Sequence, residues 1–526
     1  MTDYRVWGIR LPLGKGGDEH LRKTLARMLD VRIEAIDSLS VVRKSLDARG
    51  RKRPPSWVFT VDCTLLNRPG RRPPGVRVEP VPATRRAAIP EDKSLEGLDA
   101  AVVGTGPAGL FAAAALAARG ATVTVLEQGP PLEDRVSAVR NLWRAGALSG
   151  DANVQFGEGG AGTFSDGKLT TRIKDPLVAV VLSRFVGAGA SETILSEAHP
   201  HLGTDGVRRV VRAMREQLEA RGAAFQFRRT VLSVRRSGAG YEVETGDGRA
   251  RADAVFLAVG HSSRPLFRSL MAMGVTFRPK GMAVGVRVEH PQSWADACQY
   301  GRYAGHPDLP PSEYFLTFKD GPTGRGVYSF CMCPGGVVVN SASEPDSLVT
   351  NGMSMSHRAS GRANAGIVVT VEPLDFGGDP LRGVVFQEEL ERRAFLLGGG
   401  GYRAPAQRIR SFLGGRSDEA PLKTTFKPGV SAVDLRGFFP PWIEGPLARA
   451  FVRFDRTMPG FIEYGVMLAP ETRTSSPLQV ERGEDGCARG FPGLCLVGEG
   501  AGWSGGIVSS GVDALRCVEV FAKARS

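Results

Sequence analysis

The stretch LDAAVVGTGPAGLFAAAALAARGATVTVLEQ, Leu98 to Gln128, decides the fold. Ala100 to Val103 reads as a buried strand, and Gly104, Gly106 and Gly109 follow with the spacing G-x-G-x-x-G. An alanine-rich helix then leads to a second strand ending at Glu127. In such a unit Gly104 permits the tight turn, Gly106 lets the backbone approach a pyrophosphate, and Gly109 lets the helix pack against the sheet. The helix start, with Pro107 and Ala108, offers free N–H groups and the positive end of a dipole to a phosphate. Glu127, with Gln128 after it, stands at about the 20-residue separation expected of the acid that bonds a ribose hydroxyl. The sequence therefore predicts a dinucleotide site, with no preference yet between NAD and FAD.

Two later segments extend this site. FGEGGAGTFSDGKLT, Phe156 to Thr170, holds five glycines and cannot form a regular helix. Its glycine amides can approach a ligand closely, which makes Gly160, Gly162, Thr163, Ser165, Asp166, Gly167 and Lys168 candidate cofactor contacts. Near the C-terminus, a short apolar strand (Leu494 to Val497) precedes GEGAGWSGGIVSSGVDALRCVEVFAKA. There Gly505 and Gly506 open a helix from Ile507 onward, whose amides and dipole suit the electron-rich end of a reduced flavin. Glu499 is placed to hold a ribityl chain or pyrophosphate. Arg135, on a short helix after the glycine turn, is expected to reach cofactor phosphate. Ala252 to Gly260 reads as a strand completing the cofactor sheet, with Gly260 at its end and the backbone near Val231 available to an adenine.

The chain has 526 residues, with 68 basic and 55 acidic side chains and a formal charge of +13. That length predicts two or three domains. The basic surplus admits an acidic partner, but arginine-rich composition accounts for it equally well. Seven scattered cysteines show no C-x-x-C or zinc spacing, so no metal is expected. With no signal-peptide pattern and no long apolar run, a reducing, cytoplasmic protein without a membrane segment is expected.

In chain order, residues 1–75 read as a small βαββ module resembling part of a ferredoxin-like fold. It carries the basic turn RGRKRPP (49–55) and Arg68, Arg71, Arg72 and Arg77 nearby. Without interleaved aromatics to stack bases, nucleic acid is the disfavoured partner. Residues 76–95 read as a proline-broken linker, 96–273 as the first part of the cofactor domain, 274–465 as an inserted α+β substrate domain, and 466–526 as the returning cofactor segment. Cys331 and Cys333 alternate on a strand; at that spacing a redox disulfide is strained, so thiols buried or lining the site are expected. His199 and His201 form an H-x-H pair without a third ligand.

Taken together, VVGTGPAGLFAA, GEGGAGTFSDGKL, AVGHSSR, YSFCMCPGG, SAS-E with VTNGMS, and GEGAGWSGGIVSSGVDAL resemble the two-dinucleotide-binding-domain flavoproteins of the glutathione reductase type. More narrowly they resemble an uncharacterised group of FAD-dependent dehydrogenases, and KSLDARGRK resembles that group's leading domain. The resemblance spans nearly the whole chain. It implies FAD, carried by Gly104, Gly106, Gly109, Glu127, Lys168, Gly260, Glu499, Gly505 and Gly506. It implies no substrate.

The fold expected is thus α/β: a Rossmann-like FAD-binding domain, an inserted α+β substrate domain and the small leading module. The function expected is hydride transfer between flavin N5 and a small organic molecule. A flavin monooxygenase and a flavin-bearing RNA-modification or binding factor are the alternatives. No second G-x-G-x-x-G is able to make a separate NAD(P) domain, so NAD(P)H is expected only as a transient electron donor. No catalytic acid or base stands out; His201, His261 and Tyr314 are weak candidates for proton transfer. Arg287, Arg358 and Arg362 are candidates to grip a substrate carboxylate. Substrate and oligomeric state stay open.

Overall fold

A computed structural model describes residues 2–49, 53–69, 76–81, 88–418 and 420–525. Part of the basic turn (50–52), Arg71, Arg72 and part of the expected linker (82–87) lie outside the described residues.

The glycine-turn segment sits in the middle of a five-stranded parallel sheet. In spatial order its strands are Leu494–Leu496, Ala254–Leu257, Asp99–Val103, Thr122–Glu127 and Ala224–Phe227. The chain thus returns from its far end to pair Leu494–Leu496 with Ala254–Leu257. The helix Pro107–Ala117 is apolar almost all round because it is covered on both sides, by this sheet and by the C-terminal helix Ile507–Arg525. Gly104 has φ +100, and a methyl on Gly109 would lie 1.9 Å from the Gly104 carbonyl oxygen. The first glycine makes the turn; the third lets the helix seat against it. A three-stranded antiparallel sheet (Val231–Ser237, Gly240–Thr245, Gly248–Ala252) leads back into the parallel one.

A second, seven-stranded sheet forms the other large unit. Its order is Thr317–Lys319, Gly326–Cys333, Arg362–Val371, Met282–Pro291, Val466–Glu471, Ala404–Arg408 and Val430–Ala432. The inserted domain does not end at residue 465: Val466–Glu471 is an inner strand of this sheet, paired with both Met282–Pro291 and Ala404–Arg408. All six of its residues are buried, and a run buried on both faces carries no alternation to reveal which sheet it joins. Helices Pro380–Leu397 and Pro441–Thr457 pack with this sheet through its apolar core.

The leading module is a four-stranded antiparallel sheet, ordered Ile36–Asp47, Ser56–Leu65, Thr2–Pro12 and Val78–Pro80, with helix Asp18–Leu29 over it. Its fourth strand, Val78–Pro80, falls within the expected linker: three residues that follow a proline-rich stretch carry too little pattern to announce themselves. The module docks by a backbone bridge, Lys44 donating to the Ser196 carbonyl (2.7 Å) and accepting from Ala198 (2.9 Å).

One buried carboxylate ties the two large units together. Glu391, on helix Pro380–Leu397, accepts both arms of Arg264 (3.0 and 3.0 Å) and both of Arg473 (3.0 and 2.8 Å). Thr472 adds a hydroxyl at 2.7 Å. Burial alone would push this acid up; Arg473 and Arg264 outweigh it and hold it at about 2. Its contribution to stability is therefore complete above the unfolded carboxylate's pKa of roughly 4.3 and is lost as pH falls through about 2.

Two measurements check this account. Glu391→Gln should cost about 3 kcal/mol or more, because two buried guanidinium groups lose their common partner; a melting temperature equal to wild type contradicts it. Gly109→Ala should lower the melting temperature or abolish folding, since the methyl has no space at 1.9 Å from a backbone oxygen. An unchanged melt would show that the helix is not seated as described.

Candidate functional site

The cavity lies where an open parallel sheet is expected to bind, beyond the carboxyl ends of its strands. Its floor is Val103 to Ala108, its far wall Ala258 to Ser263, and its end Glu499 with Gly505 to Ile507. The predicted contacts Gly104, Gly106, Pro107, Ala108, Glu127 and Gln128 line one part of it. Gly160, Gly162, Ser165, Asp166, Gly167 and Lys168 line the next, and Val231, Gly260, Glu499, Gly505, Gly506 and Ile507 the remainder. Segments from three distant parts of the chain thus meet around one space.

Glu127 organises the first part. One carboxylate oxygen accepts the Thr105 amide (2.9 Å) and hydroxyl (2.6 Å), and the other accepts the amides of Gly129 (3.0 Å) and Gly157 (3.1 Å). This acid pins the glycine turn to the GEGGAGTFSDGKL loop as well as facing the cavity. Thr105 continues the link, its hydroxyl oxygen accepting the Gly159 amide at 3.2 Å.

Three predicted contacts are placed elsewhere. Arg135 does not reach cofactor phosphate: it is wholly buried and donates to the backbone carbonyls of Asn153 (3.0 Å), Val154 (2.9 Å), Gly157 (3.1 Å) and Glu158 (2.5 Å). Its five N–H donors shape the loop from inside. Thr163 is fully buried, with its hydroxyl on the Glu158 carbonyl (3.2 Å). Gly109 packs against the turn rather than against the cavity.

The suggested substrate-gripping arginines are also engaged in structure. Arg287 is fully buried and pairs with Glu471 (3.1 Å), Arg358 with Asp166 (2.7 Å) and Glu313 (3.1 Å), and Arg362 with Glu289 (3.5 Å). Burial pushes Glu471 up to about 7 against the pull of Arg287. Among the described residues the buried Tyr314 hydroxyl has no partner, and the His201 ring lies 3.4 Å from the Ser356 carbonyl. His261 alone of the proton-transfer candidates lines the cavity. Its Nδ1 lies 3.2 Å from Glu499, and its buried Nε2 has no partner among the described residues.

Sequence reasoning missed Arg229, Gln155, Asn351, Arg473 and Thr474, all of which line the cavity. Arg473 also bonds Ser262 (3.0 Å) and Ser343 (2.6 Å). Arg229 lies two residues beyond the edge strand Ala224–Phe227 of the parallel sheet, which is the one signal that marks it. Gln155 stands just before the loop that starts at Phe156, Asn351 lies on the strand Thr350–Met353, and Arg473 and Thr474 lie just beyond Val466–Glu471. Phe330 and Cys331 complete that wall.

These residues fit FAD. The first turns of helices Pro107–Ala117 and Ile507–Arg525 open on the cavity with N–H groups that have no intrahelical partner. A methyl built on Gly505 meets nothing within 4 Å, so space lies in front of the second helix start. The orphaned His261 Nε2 supplies a polar group awaiting a partner. Bound there, FAD supplies two-electron redox chemistry; the protein orients it, sets its electrostatics and limits water.

Comparison with known proteins agrees. Family models match residues 281–474 (FAD-dependent protein, C-terminal domain-like), 201–345 (FAD dependent oxidoreductase), 102–132 (NAD(P)-binding Rossmann-like domain) and 4–63 (a domain of unknown function). Among solved structures, glycine oxidase from Geobacillus kaustophilus is 12% identical, covering 82% of this chain and 95% of its own, at a TM-score of 0.35. Thioredoxin reductase from Lactococcus lactis is 16% identical, covering 31% of this chain and 35% of its own, at 0.19. An uncharacterized protein of Clostridium beijerinckii is 38% identical over 512 residues, 95% of each chain. The described residues contain no helix long and apolar enough to cross a membrane. The chain belongs to one family with that Clostridium protein, and it is an FAD-dependent oxidoreductase.

Proposed function

We propose that this oxidoreductase transfers a hydride between flavin N5 and a small organic substrate. The pyrophosphate is assigned to the helix start at Gly106 to Ala108, and the reactive ring to the helix start at Gly505 to Ile507. The substrate is assigned to the space between that ring and the wall of Phe330, Cys331, Asn351 and Arg473. One observation carries the reading: the second helix start and the inserted-domain wall line the same cavity as the glycine turn. A ring held between them would have one edge on backbone amides and the other toward the substrate domain. NADH or NADPH would act in that space as a transient donor, since the chain has a single G-x-G-x-x-G turn followed by the strand and acid that mark a dinucleotide site.

The half-reaction can be found by anaerobic bleaching of the FAD-loaded protein against NADH, NADPH, amino acids, hydroxy acids and quinols. One class should bleach the flavin, with colour restored by an added oxidant. Bleaching that needs a nicotinamide and leads to incorporation of oxygen into an organic partner would favour a monooxygenase instead. The phosphate assignment has its own check. A methyl at Gly106 meets only Gly160 Cα, at 3.9 Å, so the fold has room for it, while a larger side chain enters the cavity. Gly106→Val should keep its melting temperature in the absence of FAD and lose at least about tenfold in FAD affinity, or 1.4 kcal/mol. Unaltered FAD retention contradicts the assignment.

A further inference from the structure

The segment Cys331-Met332-Cys333 closes the substrate side of the cavity, and its backbone is irregular where a plain strand would serve. Pairing of Gly326–Cys333 with Arg362–Val371 slips between Phe330 and Cys333, and Cys331 has φ +42, in the left-handed region that β-strand residues do not occupy. Strain of this kind in a cavity wall marks a position held by its surroundings for use. It also changes what the two cysteines can do. On a regular strand, side chains two apart stand side by side at a separation that strains a disulfide. The left-handed turn at Cys331 breaks that regular arrangement, and the Cys333 thiol lies 3.4 Å from the Cys331 carbonyl oxygen.

Two cations hold this segment. Arg287, wholly buried, donates to the Cys331 carbonyl (2.7 Å) and reaches the Cys333 sulfur at 3.5 Å. Space for its guanidinium exists only because residue 352 is glycine: a methyl there would lie 1.8 Å from Nη2. Lys168, from the GEGGAGTFSDGKL loop, donates its ammonium to the Met332 carbonyl between the two cysteines. The neighbouring Cys333 thiol, with the charges of Arg287 and Lys168, holds the Cys331 thiol below its usual range despite burial. A thiolate favoured in this way is the reactive form in thiol–disulfide exchange.

We propose that Cys331 and Cys333 are a dithiol–disulfide couple that exchanges electrons with the flavin. The proposal rests on the FAD site described above. Cys331 lines the cavity and Cys333 is buried behind it. In the oxidising direction both S–H bonds are lost and one S–S bond forms, with two electrons and two protons passing to the oxidised flavin. In the reverse direction the disulfide takes two electrons and two protons from the reduced flavin and returns to two thiols.

Anaerobic titration of the FAD-loaded, pre-oxidised protein with dithionite tests the couple. Wild type should consume about four electrons per FAD, and Cys331→Ser and Cys333→Ser about two each, with FAD retained. Peptide mass spectrometry after alkylation of the unfolded, pre-oxidised wild type gives a second readout that no variant can confound. The peptide should be unalkylated and lack two hydrogens, then take two alkyl groups after reduction. Uptake of about two electrons per FAD by wild type, with both cysteines alkylated after oxidation, would overturn the proposal. Protein that binds no FAD would sink the cofactor reading separately, and the peptide mass would still show whether the two sulfurs bond.

Discussion

The architecture turns on one carboxylate. Glu127 accepts four N–H or O–H donors from three segments: the glycine turn at Thr105, the turn after its own strand at Gly129, and the distant loop at Gly157. Each donor would otherwise be a buried, unpaired polar group. A glycine-rich loop has little side-chain packing with which to fix itself, so its shape must come from hydrogen bonds. Glu127 supplies them from the cavity side and Arg135 from the opposite side, through four carbonyls of residues 153–158. Acid and base together turn a run that is entropically costly to order into a rigid cradle.

Around that cradle the cavity needs a second wall, and the wall comes from another sheet. Glu391 fixes the relation between the two. It holds Arg264, which follows the parallel strand Ala254–Leu257, and Arg473, which follows the seven-stranded sheet's inner strand. Because Arg473 also lines the cavity, the contact that joins the domains places a cation in the site. Phe330, Cys331 and Asn351 line the same cavity as the glycine turn and the helix start at Ile507.

What could be read from the sequence was what is encoded locally. The glycine turn, the buried helix and the acid at Glu127 lie within one unit of about 30 residues, where spacing dictates geometry. The loop at Phe156 to Thr170 and the helix start at Gly505 were legible for the same reason, since glycine density and a capping pattern report local backbone. Arg135 was misread because a basic side chain near a phosphate site looks the same whether it points to the ligand or to loop carbonyls. Val466–Glu471 pairs within the seven-stranded sheet, and a strand buried along its whole length does not state its neighbours. Arg473, Asn351 and the left-handed Cys331 owe their positions to pairings between strands far apart in the chain. Such pairings leave no trace in a single sequence.

If segments from Gly104 to Ile507 build one FAD site, the visible spectrum of the purified chain, with its released cofactor identified, shows it most directly. The protein should be yellow and yield about one FAD per chain on denaturation. A colourless protein that takes up no FAD on reconstitution, while melting cooperatively, would contradict it.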